Sequence, residues 1–297
     1  MLQSTLQPGL LTSEQFDLLP SEEDILFYEE HGWYISPPII PEAVIDEALL
    51  GSERFYRGER DAVLPYATGY SNWVPEDGDG IRNNEFVSLQ KKELRQLALH
   101  PVIGAIAARL ARTSQVRLLD DQLVFKPPHV QESHSTVVGW HADAAYWSTC
   151  SSQQLLTAWI PFHDCPVERG PLVVLDGSHK WKDIQDTRFF NNQDLAGVEA
   201  QFRDKGYAVV RVPIELKKGQ VSFHNCWTIH GSYPNVSNEA RIAMAVHLQD
   251  KENCYRPFVT ADGRSIHMFD ETLCRKLENG DPDFSDPDIF PVLWPDS

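Results

Sequence analysis

The chain of 297 residues contains no apolar run near the ~20 residues that a membrane-spanning helix requires. Met1 to Leu19 lack a basic segment followed by an apolar stretch, so no secretory leader is expected. The terminal Trp294-Pro295-Asp296-Ser297 does not read as a peroxisomal address. Cysteine is sparse: five residues, at 150, 165, 226, 254 and 274, with no CxxC spacing. Such an odd, unpatterned set argues against a Cys-based zinc site and for reduced thiols in a cytoplasmic setting. Basic charge is also in short supply, with 26 Lys and Arg against 43 Asp and Glu and a net charge of −17. No basic patch marks a nucleic-acid surface. A field of this sign repels polyanions such as coenzyme A thioesters, unless a local basic patch admits them, and leaves neutral or cationic small molecules free to approach. The expected partner is a small molecule, with neither nucleic acid nor membrane involved.

What is present is an ordinary globular composition, 42% hydrophobic and 10% aromatic, enough for one large core. One domain over 1–297 is expected, with no internal repeat and no clear linker. Residues 1–115 read as mostly helical. Ser21-Glu22-Glu23-Asp24 resembles a capping box that opens a helix from Asp24 to His31, which Gly32 ends. Trp33 to Ser36 is β-like, Pro41 opens a helix through Leu50, residues 60–85 lack any period, and Lys91 to Leu110 is helical with an interruption near Pro101. From Val116 short β-rich runs alternate with turns: Gln122–Lys126, Val137–Asp143, Leu155–Phe162, Gly170–Leu175, Ala208–Val212, Gln220–Phe223, Thr228–His230 and Arg241–Gln249. This count suits a cupin-like, double-sheet jelly roll with flanking helices. Residues 251–297 form an extension whose Asp- and Pro-rich end, from Glu278, reads as irregular.

Three residues within the β-rich part carry metal chemistry. Two imidazoles and a carboxylate, His141, Asp143 and His230, make the donor set that binds one face of an octahedral non-haem Fe(II) and leaves positions open for dioxygen and an oxidisable acid. An H-x-D pair alone is common by chance. On a strand, however, residues two apart share a face, so His141 and Asp143 can meet at one point; the alternative is an exposed pair at a strand end. His230 competes with His224. It closes a β-like run before Gly231, which lets the backbone pass close to a ligand, whereas His224 sits at a turn and suits a supporting role. Arg241 opens a run in which it shares a face with Ala243, Ala245 and His247, while Ile242, Met244, Val246 and Leu248 take the other. An arginine among such small neighbours has room for an anion, and its fork suits the far carboxylate of 2-oxoglutarate. The alternative is a solvent-facing arginine at a strand start.

The same residues resemble the phytanoyl-CoA dioxygenase family of Fe(II)/2-oxoglutarate-dependent oxygenases. The likeness runs from Asp24–Ile35 through Phe125-Lys126-Pro127-Pro128, Trp140-His141-Ala142-Asp143 with Tyr146, Trp159, Gly170 to Lys180, Lys218-Gly219, His230-Gly231-Ser232 with Asn235, and Arg241. It implies His141, Asp143 and His230 as iron ligands, Arg241 and Ser232 on the distal carboxylate of 2-oxoglutarate, and Lys126, Trp159 and, with less support, Thr157 in the cosubstrate pocket. Tyr146 would face the substrate. Other roles are open: Lys126 as a solvated strand end, Trp159 as plain core, Ser178-His179-Lys180 as a turn. Asp176 stands where the family has proline, read as a loop variation. The segment 129–139 and the loop 60–85 match nothing in the family, so the substrate stays open.

The activity these readings imply is hydroxylation of an unactivated C–H of a small molecule, a polar natural product of secondary metabolism, with Fe(II), 2-oxoglutarate and O2 as cofactors. Asp143 speaks against halogenation, because a related halogenase leaves that ligand position to chloride. The rivals are an acyl-CoA hydroxylase of the same family, a cupin-like zinc or nickel hydrolase or isomerase with no use for Arg241, and a scaffold with a vestigial site. The acidic loop Glu76-Asp77-Gly78-Asp79 reads either as solvated charge or as a greeting for a cation.

Overall fold

The computed structural model describes residues 11–66, 72–129, 136–182 and 187–294. Its helices are α1 (Ser13–Asp17), α2 (Glu22–His31), α3 (Glu42–Tyr56), α4 (Lys92–Ala98), α5 (Pro101–Leu110), α6 (Leu195–Asp204) and α7 (Asp270–Leu273). The strands are β1 (Trp33–Ile35), β2 (Arg82–Glu85), β3 (Val116–Lys126), β4 (Val138–His141), β5 (Leu156–Pro161), β6 (Leu172–Leu175), β7 (Arg211–Pro213), β8 (Ser222–Asn225), β9 (His230–Ser232), β10 (Arg241–Asp250), β11 (Phe258–Val259), β12 (Ser265–Ile266) and β13 (Val292–Trp294). β3 to β10 are the eight strands of a jelly roll, as expected. One sheet runs β1-β8-β5-β10-β3-β13, with β2 also paired to β3, and the other runs β4-β9-β6-β7. These strand pairs are all antiparallel.

The larger sheet is two-faced, and side-chain alternation is the reason. Leu123, Ala158, Ile160, Met244, Val246 and Leu248 point outward and join Val102, Ile103, Ile106 and Ala107 of α5 in the main core. Trp159, Ala243 and Ala245 point inward and meet Leu172 and Val174 of the smaller sheet. The cavity lies between the sheets.

Several expectations need correction. The helix expected to stop at Leu50 runs to Tyr56 through Gly51, because that glycine is a packing contact: a Cβ there would stand 2.6 Å from Glu93 Cβ of α4. Residues 82–85 are strand although the sequence has no β pattern there; Arg82 to Glu85 pair with Phe125 to Gln122. The residues after Glu278 are not all irregular, since β13 pairs with the start of β3, and Phe284, Ile289 and Phe290 are buried. α6 lies where no helix is expected. Asp176 is more than a loop variation: it accepts hydrogen bonds from Trp33 Nε1 (2.8 Å) and contacts His31 Nδ1 (2.9 Å), tying α2 and β1 to the loop before Ser178. Among the described residues, no helix is long and apolar enough to cross a membrane, and the five cysteines are unpaired.

Candidate active site

His141 ends β4 and His230 opens β9, and the two are register partners. Their ring centroids lie 4.1 Å apart. Asp143 was expected on the strand with His141. β4 instead stops at His141, and Asp143 begins a 3-10 turn closed by Tyr146 N donating to Asp143 O (2.8 Å). Ala142 between them is still extended, at φ −115° and ψ 133°. The alternation therefore carries one residue past the last ladder pair, and the carboxylate still turns toward the imidazoles. Asp143 Oδ1 lies 3.5 Å from His230 Nε2 and 3.8 Å from His141 Nε2. One donor atom from each of the three falls within 4.8 Å of the others.

Backbone carbonyls select the nitrogen that faces inward. His141 Nδ1 donates to Gly139 O (2.9 Å) and His230 Nδ1 to Thr228 O (3.0 Å), so both Nε2 atoms keep a lone pair for a metal. Burial pushes the pKa of both rings down, for His230 well below its ordinary value with His141 reinforcing the effect, so both rest in the neutral, ligating form. Burial alone would raise the Asp143 carboxyl, but His230, His224 and His247 hold it well below the usual carboxylate range. Its Oδ2 accepts from Thr157 Oγ1 (2.6 Å) and lies 3.3 Å from His224 Nε2, which leaves Oδ1 for the metal point. His224 thus stands behind the carboxylate. Gly231 keeps close company with β4 and not with a ligand: a Cβ there would meet Val138 O at 2.7 Å.

At the far end of the cavity floor, Arg241 and Lys126 are register partners on β10 and β3. They are only 2% and 0% exposed. Lys126 Nζ donates to Ser232 Oγ and to Tyr233 O, each at 2.6 Å. Arg241 Nε is buried without a partner, and its guanidinium carbon stands 5.7 Å from the centroid of Trp159. Burial pushes Arg241 down to about 10, while burial and the Arg241 charge push Lys126 well below its ordinary value. Among the described residues no carboxylate pairs with either cation. Two buried cations without a counter-ion are costly unless an anion enters. Arg241, Ser232, Trp159 and Thr157 line the same cavity as His141, Asp143 and His230. This donor set and this cation pair suit an Fe(II) and the dianion 2-oxoglutarate.

Tyr146 is 42% exposed, with its ring centroid 6.2 Å from that of His141, at the opening of the site. Ser178-His179-Lys180 forms a 3-10 turn, in which Ser178 Oγ accepts from Ile229 N (2.8 Å) and so seats the residue before His230. Sequence reasoning missed His247. Its Nδ1 lies 2.8 Å from Thr157 Oγ1 and 3.8 Å from Asp143 Oδ2; the signal was its shared face with Arg241. Glu76 and Asp77 are exposed, so the acidic loop is solvated charge.

The fold and this donor set are those of a jelly-roll Fe(II)/2-oxoglutarate oxygenase. The family model described as phytanoyl-CoA dioxygenase (PhyH) matches residues 28–243, and the chain belongs to that family. It is 26% identical to the peroxisomal phytanoyl-CoA dioxygenase of Bos taurus over 82% of this chain and 72% of that one. Among solved structures it resembles the non-heme alpha-ketoglutarate-dependent carbocyclase SnoK from nogalamycin biosynthesis, with a TM-score of 0.68 and 27% identity over 92% of this chain and 96% of that one. EctD from S. alaskensis, solved with 2-oxoglutarate and 5-hydroxyectoine, shares the fold at a TM-score of 0.64 and 17% identity, covering 89% of this chain and 88% of that one. The protein is a 2-oxoglutarate-dependent dioxygenase, and its cofactors are Fe(II), 2-oxoglutarate and O2.

Proposed function

We propose that this enzyme hydroxylates an unactivated C–H of a small, polar natural product, with His141, Asp143 and His230 holding the iron. The observation that carries the site assignment is the pair of buried basic side chains, Arg241 and Lys126, register partners beside the cavity that holds the triad, with no carboxylate paired to either among the described residues. When bound, iron with 2-oxoglutarate and dioxygen supplies the oxidising power. The protein's own residues do the rest. Gly139 O and Thr228 O orient the imidazoles. Thr157 and His224 engage one carboxylate oxygen of Asp143 and leave the other free. Arg241, Lys126 and Ser232 take the distal carboxylate of the cosubstrate, and Trp159 packs beside it. The buried walls keep water from the reacting centre. Tyr146, half in solvent, meets the substrate.

Anaerobic addition of Fe(II) and 2-oxoglutarate should produce a visible metal-to-ligand charge-transfer band. Arg241→Ala should weaken 2-oxoglutarate at least about tenfold by removing a charge-assisted fork. A zinc or nickel hydrolase would give no such band and no response to Arg241→Ala, and that pair of results would defeat the assignment.

For the substrate, the kinship to a curated phytanoyl-CoA dioxygenase favours an acyl-CoA, whereas the net charge of −17 opposes a ligand rich in phosphate. The likeness to an enzyme of nogalamycin biosynthesis supports the small-molecule reading. Acyl-CoA thioesters should leave the melting temperature of the Fe(II)/2-oxoglutarate-loaded enzyme unchanged. Selective stabilisation by the thioesters overturns this choice of substrate.

A further inference from the structure

The cation pair has a counterpart of opposite sign on the same sheet. β3 residues Asp120, Gln122, Val124 and Lys126 alternate onto the cavity face, opposite His247, Ala245, Ala243 and Arg241 of β10. Beyond β3, the edge strand β2 sets Glu85 beside Gln122 and Asn83 beside Val124. Gln122 lines the cavity together with the metal triad, and its Nε2 donates to Glu85 Oε1 (3.4 Å). Asp120 is the register partner of His247, whose Nδ1 is 3.8 Å from Asp143. Asp270 of α7 is brought to the same region: the rings of Phe86 and Phe269, next in sequence to Glu85 and Asp270, stand 5.5 Å apart, and the Asp270 charge raises the Asp120 carboxyl. Asp120 and Asp270 are 8% and 5% exposed. Asp121 turns to the other face of β3, where it accepts from Ser88 N (3.0 Å) and feels Arg95, although its charge also raises the Glu85 and Asp120 carboxyls.

Among the described residues no lysine or arginine pairs with Glu85, Asp120 or Asp270. Burial pushes their carboxyls up, Glu85 to about 7 and Asp270 to about 8, and nearby acids add to it: Asp121 at Glu85, Glu85 and Glu271 at Asp270, and Asp270, Glu85 and Asp121 at Asp120. A second observation is independent of the acids. Asn83, 6% exposed and on the Glu85 face of β2, has neither its amide oxygen nor its amide nitrogen satisfied. Asp270 Oδ1 is likewise buried without a partner. Unpaired acids and an idle amide beside a cavity are what a bound cation with N–H donors would complete.

We propose that Glu85, Asp120 and Asp270, with Asn83, receive a protonated amine of the substrate and so fix which carbon faces the iron. This rests on the oxygenase site above and narrows its substrate to an amine-bearing small molecule. The iron centre then lies between two complementary charge clusters, Arg241 and Lys126 for the cosubstrate dianion and the three acids for the substrate cation.

The test uses the Fe(II)/2-oxoglutarate-loaded enzyme under anaerobic conditions and a panel of primary and tertiary alkyl and cyclohexyl amines, each paired with its neutral N-acetyl or hydroxyl isostere. Binding is read as perturbation of the charge-transfer band and as a rise in melting temperature. Amines should bind at least about tenfold tighter than their isosteres, and Glu85→Gln and Asp120→Asn should each erase that preference. Both variants keep size and neutralise an acid that no lysine or arginine pairs among the described residues. Glu85→Asp, which keeps the charge, should retain the preference, and the 2-oxoglutarate band in each variant reports that the site is intact. Equal binding of amine and isostere, no amine binding up to millimolar concentration, stabilisation by Mg2+ or Ca2+ in place of amines, or a preference that survives both neutral variants each overturns the proposal. Absence of the band in the wild-type enzyme is a different failure, because it defeats the oxygenase site itself.

Discussion

At the scale of single residues the metal point is organised less by its ligands than by what stands behind them. Thr157 contributes one hydroxyl, yet it donates to Asp143 Oδ2 at 2.6 Å and lies 2.8 Å from His247 Nδ1. A hydrogen bond to a buried carboxylate is worth about 1.5–3 kcal/mol, and loss of such an outer contact weakens a metal by roughly 10–100-fold. Thr157→Val keeps the side-chain shape and removes the donor. It should weaken Fe(II) by about tenfold or more in an anaerobic titration, with Thr157→Ser restoring most of the loss. Unchanged iron affinity in Thr157→Val would mean that His224 alone suffices to orient the carboxylate. The residue types at this site were readable from sequence. This division of labour was not, because Thr157 and Asp143 belong to different strands and turns and meet only through the fold.

Among the elements, those with a strict period were the readable ones. β10 alternates without a break, and its small inward residues and large outward ones lie as expected between the cavity and α5. α2 opens on the Ser21 capping box and closes on Gly32, in the left-handed region at φ 80°. Elements went unread where the cause is tertiary. β2 consists of Arg82-Asn83-Asn84-Glu85, a polar run that becomes strand only because the edge of β3 needs a partner. Gly51 carries a stop signal that packing against Glu93 overrides. Gly139 is a further case. Its Cβ position lies 1.9 Å from Phe189 O and 2.4 Å from Asn192 O, so only glycine lets the segment after residue 187 lie along β4, with Gly139 N donating to Phe190 O (2.8 Å). That strap holds the strand that ends on His141, one of the three residues proposed to hold the iron. The segments that sequence could not match, 60–85 and 129–139, include 67–71 and 130–135, which lie outside the described residues, but they also hold β2, the strand that sets Glu85 and Asn83 beside the cavity-lining Gln122 and Val124.

For the whole molecule the net charge of −17 understates the electrostatics, because several carboxyls are buried where they resist ionisation. In the unfolded chain aspartate and glutamate titrate at about pH 4. In the folded protein burial moves Asp121 to about 6, Glu85 to about 7 and Asp270 to about 8. Between the two values the unfolded chain has released protons that the native state still holds, so these groups lower stability as pH rises through that window. Buried His163 and His247, both pushed down by burial to about 4, act in the other direction: the unfolded chain binds protons there that the native state refuses, so stability climbs as pH rises from about 4 to about 6.5. The melting temperature of the ligand-free protein should therefore peak near mildly acidic pH and decline toward pH 8. The comparison of Glu85→Gln with wild type isolates the acid branch, since the histidines are common to both. The variant should gain relative to wild type progressively between about pH 5 and pH 7, by on the order of 1–3 kcal/mol, and the gain should then level off. Melting curves that stay parallel across that range would show that Glu85 is already ionised or already paired in the free protein. Its carboxylate would then not be waiting for a cation.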